Sequence, residues 1–158
     1  MKARLRRWIG RLDYQMDFRM RNGMRGGLSM NLLPGSYWGT NSRENAVSIR
    51  EATFWYLEWA ILKRCPAYCG DSHYGVTAIP REEWMDILAE WKVFKERLLK
   101  ASIPIQMGIT TRIPLDFRIT FLKDFPRNRK CLIRLIEQLS EWVRNTLANW
   151  EEISVCGI

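Results

Sequence analysis

The pattern of apolar and polar residues begins with a strict alternation near the start of the chain. From residue 12 to residue 20, apolar side chains occupy every even position and polar side chains every odd position, and a similar alternation runs from residue 24 to residue 32. A period of two indicates strands that bury one face. We therefore predict a β-hairpin over residues 12–33. A three-residue turn at 21–23 is favoured, because it keeps the apolar faces of the two strands in register.

The densest apolar stretch of the chain runs from residue 52 to residue 62, and Glu58 is its only charged residue. An element that is apolar on nearly every side belongs in the middle of a core. We predict a helix here that starts near Arg43, is capped by Ser42 or Asn41, and ends near Arg64. Pro66 sets this limit, because the residue before a proline disfavours helical geometry.

A second helix is predicted from Pro80 to Lys100, where apolar residues recur every three or four positions. Two glutamates in its first turn suit the positive end of the helix dipole. The two helices form a helical pair over residues 42–100. They are joined by a connector, residues 65–80, which begins and ends with turn residues.

The last third of the chain predicts a strand–helix–strand unit over residues 103–158. Pro104 and Gly108 interrupt residues 103–113 and Pro114 follows them, so this part is predicted as a short edge strand or a loop. Alternation at residues 115–121 predicts a strand. A helix follows from Asp124, with a proline in its first turn, and residues 153–158 predict a final strand.

The order of these elements predicts a single α+β domain over residues 1–158. Strands and helices do not alternate regularly, which favours an N-terminal β-hairpin and three main helices packed on one face of a mostly antiparallel sheet. The last strand–helix–strand unit is compatible with a right-handed parallel crossover. The strand order of the sheet is left open.

The composition supports a folded domain with a full core. The chain has 158 residues, of which 47% are hydrophobic, and it contains 8 Trp. Its apolar stretch is shorter than the roughly 20 residues that cross a bilayer, and no apolar segment follows the basic N-terminal residues as in an export signal. Four scattered cysteines are typical of reduced thiols. We expect a cytoplasmic protein without membrane association.

The chain carries a net charge of +8, which favours an anionic partner. Four cations at the start of the third helix oppose the helix dipole and lie beside free backbone N–H groups, a combination suited to holding a phosphate or a carboxylate. The alternative is ordinary solubilising charge in an arginine-rich chain. These cations, together with two arginines that flank the hairpin turn, are Arg127, Arg129, Lys130, Arg134, Arg21 and Arg25.

Aromatic residues form a second candidate binding set. Tyr37 and Trp38 lie in the loop before the first helix, and Tyr68 and Tyr74 lie in the connector. Aromatic residues in loops near arginines have the composition of protein–protein hot spots. The alternative is that they fold back onto the core.

The connector also contains candidate metal ligands. Cys65, Cys69 and His73 follow one another at four-residue intervals, with Asp71 between the last two. This spacing departs from the paired ligands of structural zinc sites, so we predict no metal and leave open whether these residues bind one. No nucleophile elbow accompanies the only histidine, and we predict neither enzymatic activity nor a cofactor.

Acidic residues on the polar face of the predicted strands are a further candidate. Asp13, Asp17 and Asp116 have the chemistry to bind magnesium if they lie close together. Arginines share the same face, however, and we expect a salt-bridged, solvated surface instead.

The stretch from Tyr74 to Leu88, Tyr-Gly-Val-Thr-Ala-Ile-Pro-Arg-Glu-Glu-Trp-Met-Asp-Ile-Leu, resembles small α+β proteins of the kind found among bacterial toxin-immunity proteins, over about a tenth of the chain. This resemblance implies a non-enzymatic protein that binds and neutralises one toxin. Many immunity proteins that block nucleases are acidic, whereas this chain is basic. The resemblance therefore implies a target with an acidic surface.

Three functional hypotheses follow from these patterns. The first is a non-enzymatic binding protein that recognises and inhibits another protein, of the immunity or anti-defence type, through basic and aromatic loops. The second is a nucleic-acid-binding accessory protein that uses the same arginines against phosphates. The third is a small enzyme that works from the connector. The identity of the partner and the oligomeric state are left open.

Overall fold

The computed structural model describes residues 16–39, 43–69, 75–108 and 113–157. These residues form five strands, four α-helices and one short 3₁₀ helix. The strands are β1 (Arg21–Asn22), β2 (Ser29–Pro34), β3 (Val47–Arg50), β4 (Val76–Pro80) and β5 (Glu152–Gly157). The helices are α1 (Glu51–Arg64), α2 (Arg81–Lys100), the 3₁₀ helix (Pro104–Met107), α3 (Leu115–Lys123) and α4 (Phe125–Leu147).

The strands form one antiparallel sheet in the order β1-β3-β2-β5-β4. The central strand is β2, whose Leu32 lies between Val47 of β3 and Val155 of β5. The α+β class and the antiparallel sheet are therefore confirmed. The parallel crossover is wrong, because β5 runs antiparallel to both of its neighbours.

Helices α1, α2 and α4 pack on one face of the sheet and share a single apolar core with it. Two tryptophans of α2 link this helix to the sheet and to α1 through hydrogen bonds. The indole Nε1 of Trp84 donates to the Ile153 carbonyl of β5 at 3.2 Å, and that of Trp91 donates to the Leu57 carbonyl of α1 at 3.0 Å. Both indoles are fully buried, so each N–H needs such an acceptor.

The opposite face of the sheet is also buried, but its residues are smaller and more polar. Asn31 of β2 accepts from the Arg25 backbone N–H at 2.8 Å, and the Ser154 hydroxyl donates to the Gly35 carbonyl at 2.7 Å. The turns after β1 and after β2 therefore cover this face through hydrogen bonds.

The predicted register of the N-terminal hairpin is wrong in the residues that the structure describes. Residues 16–20 have no regular secondary structure, β1 has two residues, and β1 and β2 both pair with β3. Local bonds explain why no ladder forms here. The Asp17 carboxylate accepts from the Arg19 backbone N–H at 3.1 Å, and the Asp17 carbonyl accepts from the Thr53 hydroxyl at 2.7 Å. The predicted strand residues 12–15 lie outside the described residues.

The first helix begins later than predicted, at Glu51, because residues 47–50 form β3. The Val-Ser-Ile sequence of β3 alternates and places β-branched Ile49 opposite Met30. The connector also contains a strand that was not predicted. This strand, β4, pairs with β5 at the edge of the sheet, where its proline is tolerated.

The strand predicted at residues 115–121 is wrong, because these residues belong to helix α3. Apolar residues at alternate positions also place Phe117 and Phe121 four apart, on one side of a helix. Phe121 is fully buried and stacks on Tyr56 with ring centroids 4.5 Å apart. Within residues 103–113, the structure shows a 3₁₀ helix at 104–107, and residues 109–112 lie outside the described part.

The predictions for α2 and β5 are confirmed to within one residue. The predicted start of α4 is also confirmed, but the helix ends at Leu147, earlier than its predicted end at residues 150–152. Of the helices in the described ranges, none is both long enough and apolar enough to span a lipid bilayer.

Candidate anion-binding cleft

A cleft of about 500 Å³ lies between segment 16–20 and the first half of α4. The segment contributes Met16, Asp17, Phe18, Arg19 and Met20, and the helix contributes Arg127, Asn128, Cys131, Arg134 and Gln138. We call this cleft the basic cleft.

The wall made by α4 follows from helical spacing. Arg127, Cys131, Arg134 and Gln138 are separated by four, three and four residues, which places them along one side of the helix. The apolar stripe of α4 lies on another side and is buried in the core. Asn128 fixes the beginning of the helix, because its buried amide Nδ2 donates to the Phe121 carbonyl of α3 at 3.0 Å.

The opposite wall is organised by the carboxylate of Asp17. Its Oδ1 accepts from Arg19 Nε at 2.9 Å, and its Oδ2 forms an ion pair with Arg21. The hydrogen bonds from Arg19, together with Arg21, hold the pKa of Asp17 well below its usual range. Among the described residues that line the basic cleft, Asp17 is the one carboxylate, and it is ionised and already bound to two guanidinium groups.

The two arginines of α4 that line the cleft form fewer ion pairs and hydrogen bonds than Arg19 and Arg21. The side chain of Arg127 is 60% exposed, and its guanidinium lies 3.9 Å from Oδ2 of Asp124, at the limit for an ion pair. Arg134 is exposed and forms no ion pair or hydrogen bond through its guanidinium in the described part of the chain. Arg134 can therefore bind an added anion directly, and Arg127 can do so by giving up only its long contact with Asp124.

The structure separates the four cations predicted at the start of this helix. Arg127 and Arg134 line the basic cleft. Arg129 is turned toward the core, where its guanidinium donates to the Ala101 carbonyl and lies 5.9 Å from the centroid of the Phe125 ring. Lys130 is exposed but does not line the cleft. Arg129 is thus engaged in a structural contact, which corrects its predicted place in the binding set.

The arginines near the hairpin turn also differ from each other. Arg21 is bound to Asp17 at the edge of the basic cleft. Arg25 lies in the turn that covers the polar face of the sheet, and its side chain is exposed. The predicted pairing of strand acids with arginines is confirmed for Asp17; Asp13 lies outside the described residues.

The predicted aromatic set is also divided. Tyr37 and Trp38 contact each other edge to face at 5.0 Å, Trp38 is 85% exposed, and Arg43 lies 5.7 Å from the centroid of the Tyr37 ring. We call these three residues the aromatic patch. Tyr68, by contrast, is buried with 7% exposure, which removes it from any contact surface. Tyr74 lies outside the described residues.

Of the candidate metal ligands in the connector, Cys65 is buried and Cys69 is exposed. Burial, with a contribution from Glu83, raises the pKa of the Cys65 thiol to about 11, so the thiol is neutral at physiological pH. Asp71 and His73 lie outside the described residues. Within the described ranges, no three side chains of His, Cys, Asp or Glu come together as metal ligands.

Sequence reasoning missed the contribution of segment 16–20 to the site. Arg19 was assigned to a solvated strand face, and Asn128, Cys131 and Gln138 were not singled out. The spacing of Arg127, Cys131 and Arg134 is a signal that the sequence does contain. Comparisons of the chain with protein-family models, with curated proteins and with solved structures gave no match.

Proposed function

We propose that this chain is a non-catalytic binding protein that recognises and inhibits a partner protein by taking acidic side chains of that partner into the basic cleft. One observation carries the proposal: Arg19, Arg127 and Arg134 line a single cleft, while Asp17, the one carboxylate of its described lining, is already bound to arginines. The cleft therefore offers a surplus of positive charge to a ligand.

The chemistry of the lining favours carboxylate recognition. A guanidinium presents a planar fork of N–H donors that matches a carboxylate in a bidentate pair. Arg127 and Arg134 lie seven residues apart on one helix, about 10 Å along its axis at roughly 1.5 Å per residue. This separation suits two neighbouring acidic side chains of a partner surface.

The aromatic patch supplies a second anchor for the same partner. Exposed Trp38 and its neighbour Tyr37 have the residue types that dominate binding energy at protein interfaces. The resemblance to toxin-immunity proteins adds an inhibitory role to this proposal. The four free thiols agree with action in the cytoplasm.

The proposal is tested with tagged wild-type chain and the double variant Arg127→Gln/Arg134→Gln. Arg144→Gln is the matched control, because Arg144 is exposed on the same helix and does not line the cleft. Each chain is used to capture partners from nuclease-treated native lysate at low and high salt, and the Kd of the captured protein is then measured by calorimetry.

We expect one acidic protein in a stoichiometric complex, with inhibition of its activity. The double variant should raise the Kd about 100-fold, since each lost charge-assisted bond is worth about a factor of ten or more. The Arg144→Gln control should bind like the wild type. Capture of a protein whose affinity is the same for the double variant would overturn the role of the basic cleft.

The second candidate function is binding of nucleic acid, which the net charge of +8 favours. In that case the affinity for an oligonucleotide of random sequence falls log-linearly with salt concentration. The double variant then reduces the slope of that plot by about two, one for each lost phosphate contact at roughly 0.9 per contact. Loss of all captured material after nuclease treatment would favour this candidate over the protein inhibitor.

A further inference from the structure

A smaller cavity of about 240 Å³ lies on a different part of the molecule, between α1, α3 and the 3₁₀ helix. Its walls are almost entirely apolar. The described lining consists of one charged residue, Arg118, together with Tyr56, Pro104, Ile105, Gly108, Phe121 and Leu122.

Arg118 is the unusual member of this lining. Its Nε atom is buried and has no hydrogen-bond acceptor, and its guanidinium forms no ion pair within the described residues. The nearest polar group of the wall, the Tyr56 hydroxyl, already donates to the Phe117 carbonyl at 3.2 Å. A half-buried cation without a partner is unfavourable unless another group supplies the missing acceptor.

We infer that this cavity binds a small molecule with one carboxylate on an apolar body. The carboxylate forms an ion pair with the guanidinium of Arg118, and the apolar body occupies the space beside Tyr56 and Phe121. A single guanidinium in an apolar wall matches one negative charge, whereas a phosphate dianion would place a second charge against apolar surface. This inference does not rest on the proposed function, because the basic cleft and this cavity share no lining residue.

The volume limits the size of the ligand. About 240 Å³ corresponds to roughly eight water molecules at about 30 Å³ each. This space suits a ligand such as phenylacetate or hexanoate. The exposed side chains of Ile105 and Leu122, which are 84% and 46% exposed, would be partly covered when the cavity is filled.

The test uses the full chain and phenylacetate as the probe, with phenylacetamide as the neutral analogue of the same shape. Binding is followed by chemical-shift changes of the backbone amides of α3 and by the shift in Tm. We expect phenylacetate to move the amides around Arg118 and Leu122 with a Kd near 1 mM, and phenylacetamide to bind at least about tenfold more weakly.

Variants locate the interaction. Arg118→Gln should weaken phenylacetate binding at least about tenfold, and Arg118→Lys should give an intermediate loss, because lysine keeps the charge without the fork. Arg97→Gln is the matched control, since Arg97 lines the neighbouring cavity of about 250 Å³ and not this one. It should leave the Kd within about twofold.

The result that overturns the inference is equal binding of phenylacetate and phenylacetamide to the wild type, or no shift of the α3 amides. This comparison uses the unaltered protein, so it holds even if an Arg118 variant folds poorly. The double variant Arg127→Gln/Arg134→Gln should bind phenylacetate normally, which separates a failure here from a failure of the basic cleft.

Discussion

The hydroxyl group of Tyr68 donates a hydrogen bond of 2.7 Å to Oε1 of Glu58, and both residues are buried. Glu58 is the only charge in the most apolar stretch of the chain, and burial of a carboxylate there requires polar partners. The connector supplies one by folding Tyr68 back over α1. The pKa of Tyr68 is raised well above its usual range by this burial and by the neighbouring carboxylate.

Tyr68→Phe should lower the free energy of unfolding by about 1 to 3 kcal/mol, because it removes a hydrogen bond from a buried carboxylate. Urea denaturation at pH 7 measures the change. Tyr37→Phe is the matched control, since the ring of Tyr37 contacts Trp38 and Arg43 without using its hydroxyl. Its effect should stay within about 0.5 kcal/mol. Equal effects of the two substitutions would contradict a stabilising role for the Tyr68–Glu58 bond.

Alkaline pH should destabilise the folded chain through the two tyrosines that are buried in its described part. Burial raises the pKa of Tyr56 well above its usual range, as it does for Tyr68. A group whose pKa is raised on folding stabilises the protein fully below its unfolded pKa, here about 10, and this contribution is lost as the pH rises further. We expect the free energy of unfolding to fall above about pH 10. The fall should be shallower in Tyr68→Phe.

Absorbance at 295 nm gives an independent check, because it follows the formation of tyrosinate. Tyr56 and Tyr68 should remain protonated above pH 10 until the chain unfolds. Titration of all five tyrosines near pH 10 with the fold intact would contradict this prediction.

At acidic pH, the Asp17 carboxylate should become the sensitive group. Its pKa is lowered in the folded state by its bonds to Arg19 and Arg21, so its stabilising contribution is present above the unfolded pKa of about 4 and is lost as the pH falls below it. Asp17→Asn should cost about 1 kcal/mol at pH 7, a modest amount because Arg19 is 74% exposed. The difference between wild type and variant should shrink as the pH is lowered from 5 toward 2. A difference that does not change with pH would show that the ion pairs contribute nothing.

The sequence predicts helix α4 but not helix α3. The stripe of α4 recurs over 23 residues, so its helical period is unambiguous. In α3 only four apolar residues alternate, and both a strand and a helix can bury them. Phe121 stacks on Tyr56, which is far away in the sequence, and this contact favours the helical form of α3. Whether a short segment forms a strand or a helix depends on such long-range contacts, and the periodicity of its sequence does not reveal them.

In the basic cleft, too, the residues with a local sequence signal were predicted and the others were not. Arg127 and Arg134 were predicted, because their position at the start of a helix is a local property. Arg19 was not, because the position of segment 16–20 involves contacts between residues that are distant in the sequence. The Thr53 hydroxyl donates to the Asp17 carbonyl, a bond that joins residues 36 positions apart. The sequence contains both residues but no sign of their contact.

The four thiols should differ in their reaction with iodoacetamide. Cys69 is exposed and Cys131 is half-buried in the basic cleft, whereas Cys65 and Cys156 are buried and burial raises the pKa of both. We expect Cys69 to react first, then Cys131, and the other two only after unfolding. Peptide mapping by mass spectrometry identifies the sites. Labelling of Cys65 at the rate of Cys69 in the folded chain would contradict the burial of the connector thiol.

Cys131 also reports on the basic cleft. A partner that occupies the cleft should slow the labelling of Cys131 and leave Cys69 unchanged, provided that it does not cover the connector. This measurement needs no substitution, so it complements the arginine variants. Unchanged labelling of Cys131 in a saturated complex would place the partner elsewhere.

Gly35 should be the least replaceable of the glycines at the turns of the sheet. Its φ is +70°, and a Cβ atom added there would lie 2.6 Å from two ring carbons of Trp150. Its backbone cannot withdraw easily, because its N–H donates to the Glu152 carbonyl at 2.8 Å and its carbonyl accepts from the Ser154 hydroxyl. Gly27 is the matched control: its φ is +74°, but nothing lies within 4 Å of an added Cβ.

Gly27→Ala should therefore cost only the strain of a left-handed residue, about 1 to 2 kcal/mol. Gly35→Ala should cost this and a further amount of about 1 to 3 kcal/mol for the forced displacement of the Trp150 ring. Urea denaturation of both variants measures the difference. In a Trp150→Ala background the excess at Gly35 should disappear, because the ring that causes it is gone. An excess that persists in that background would assign the cost to the backbone instead of the Trp150 contact.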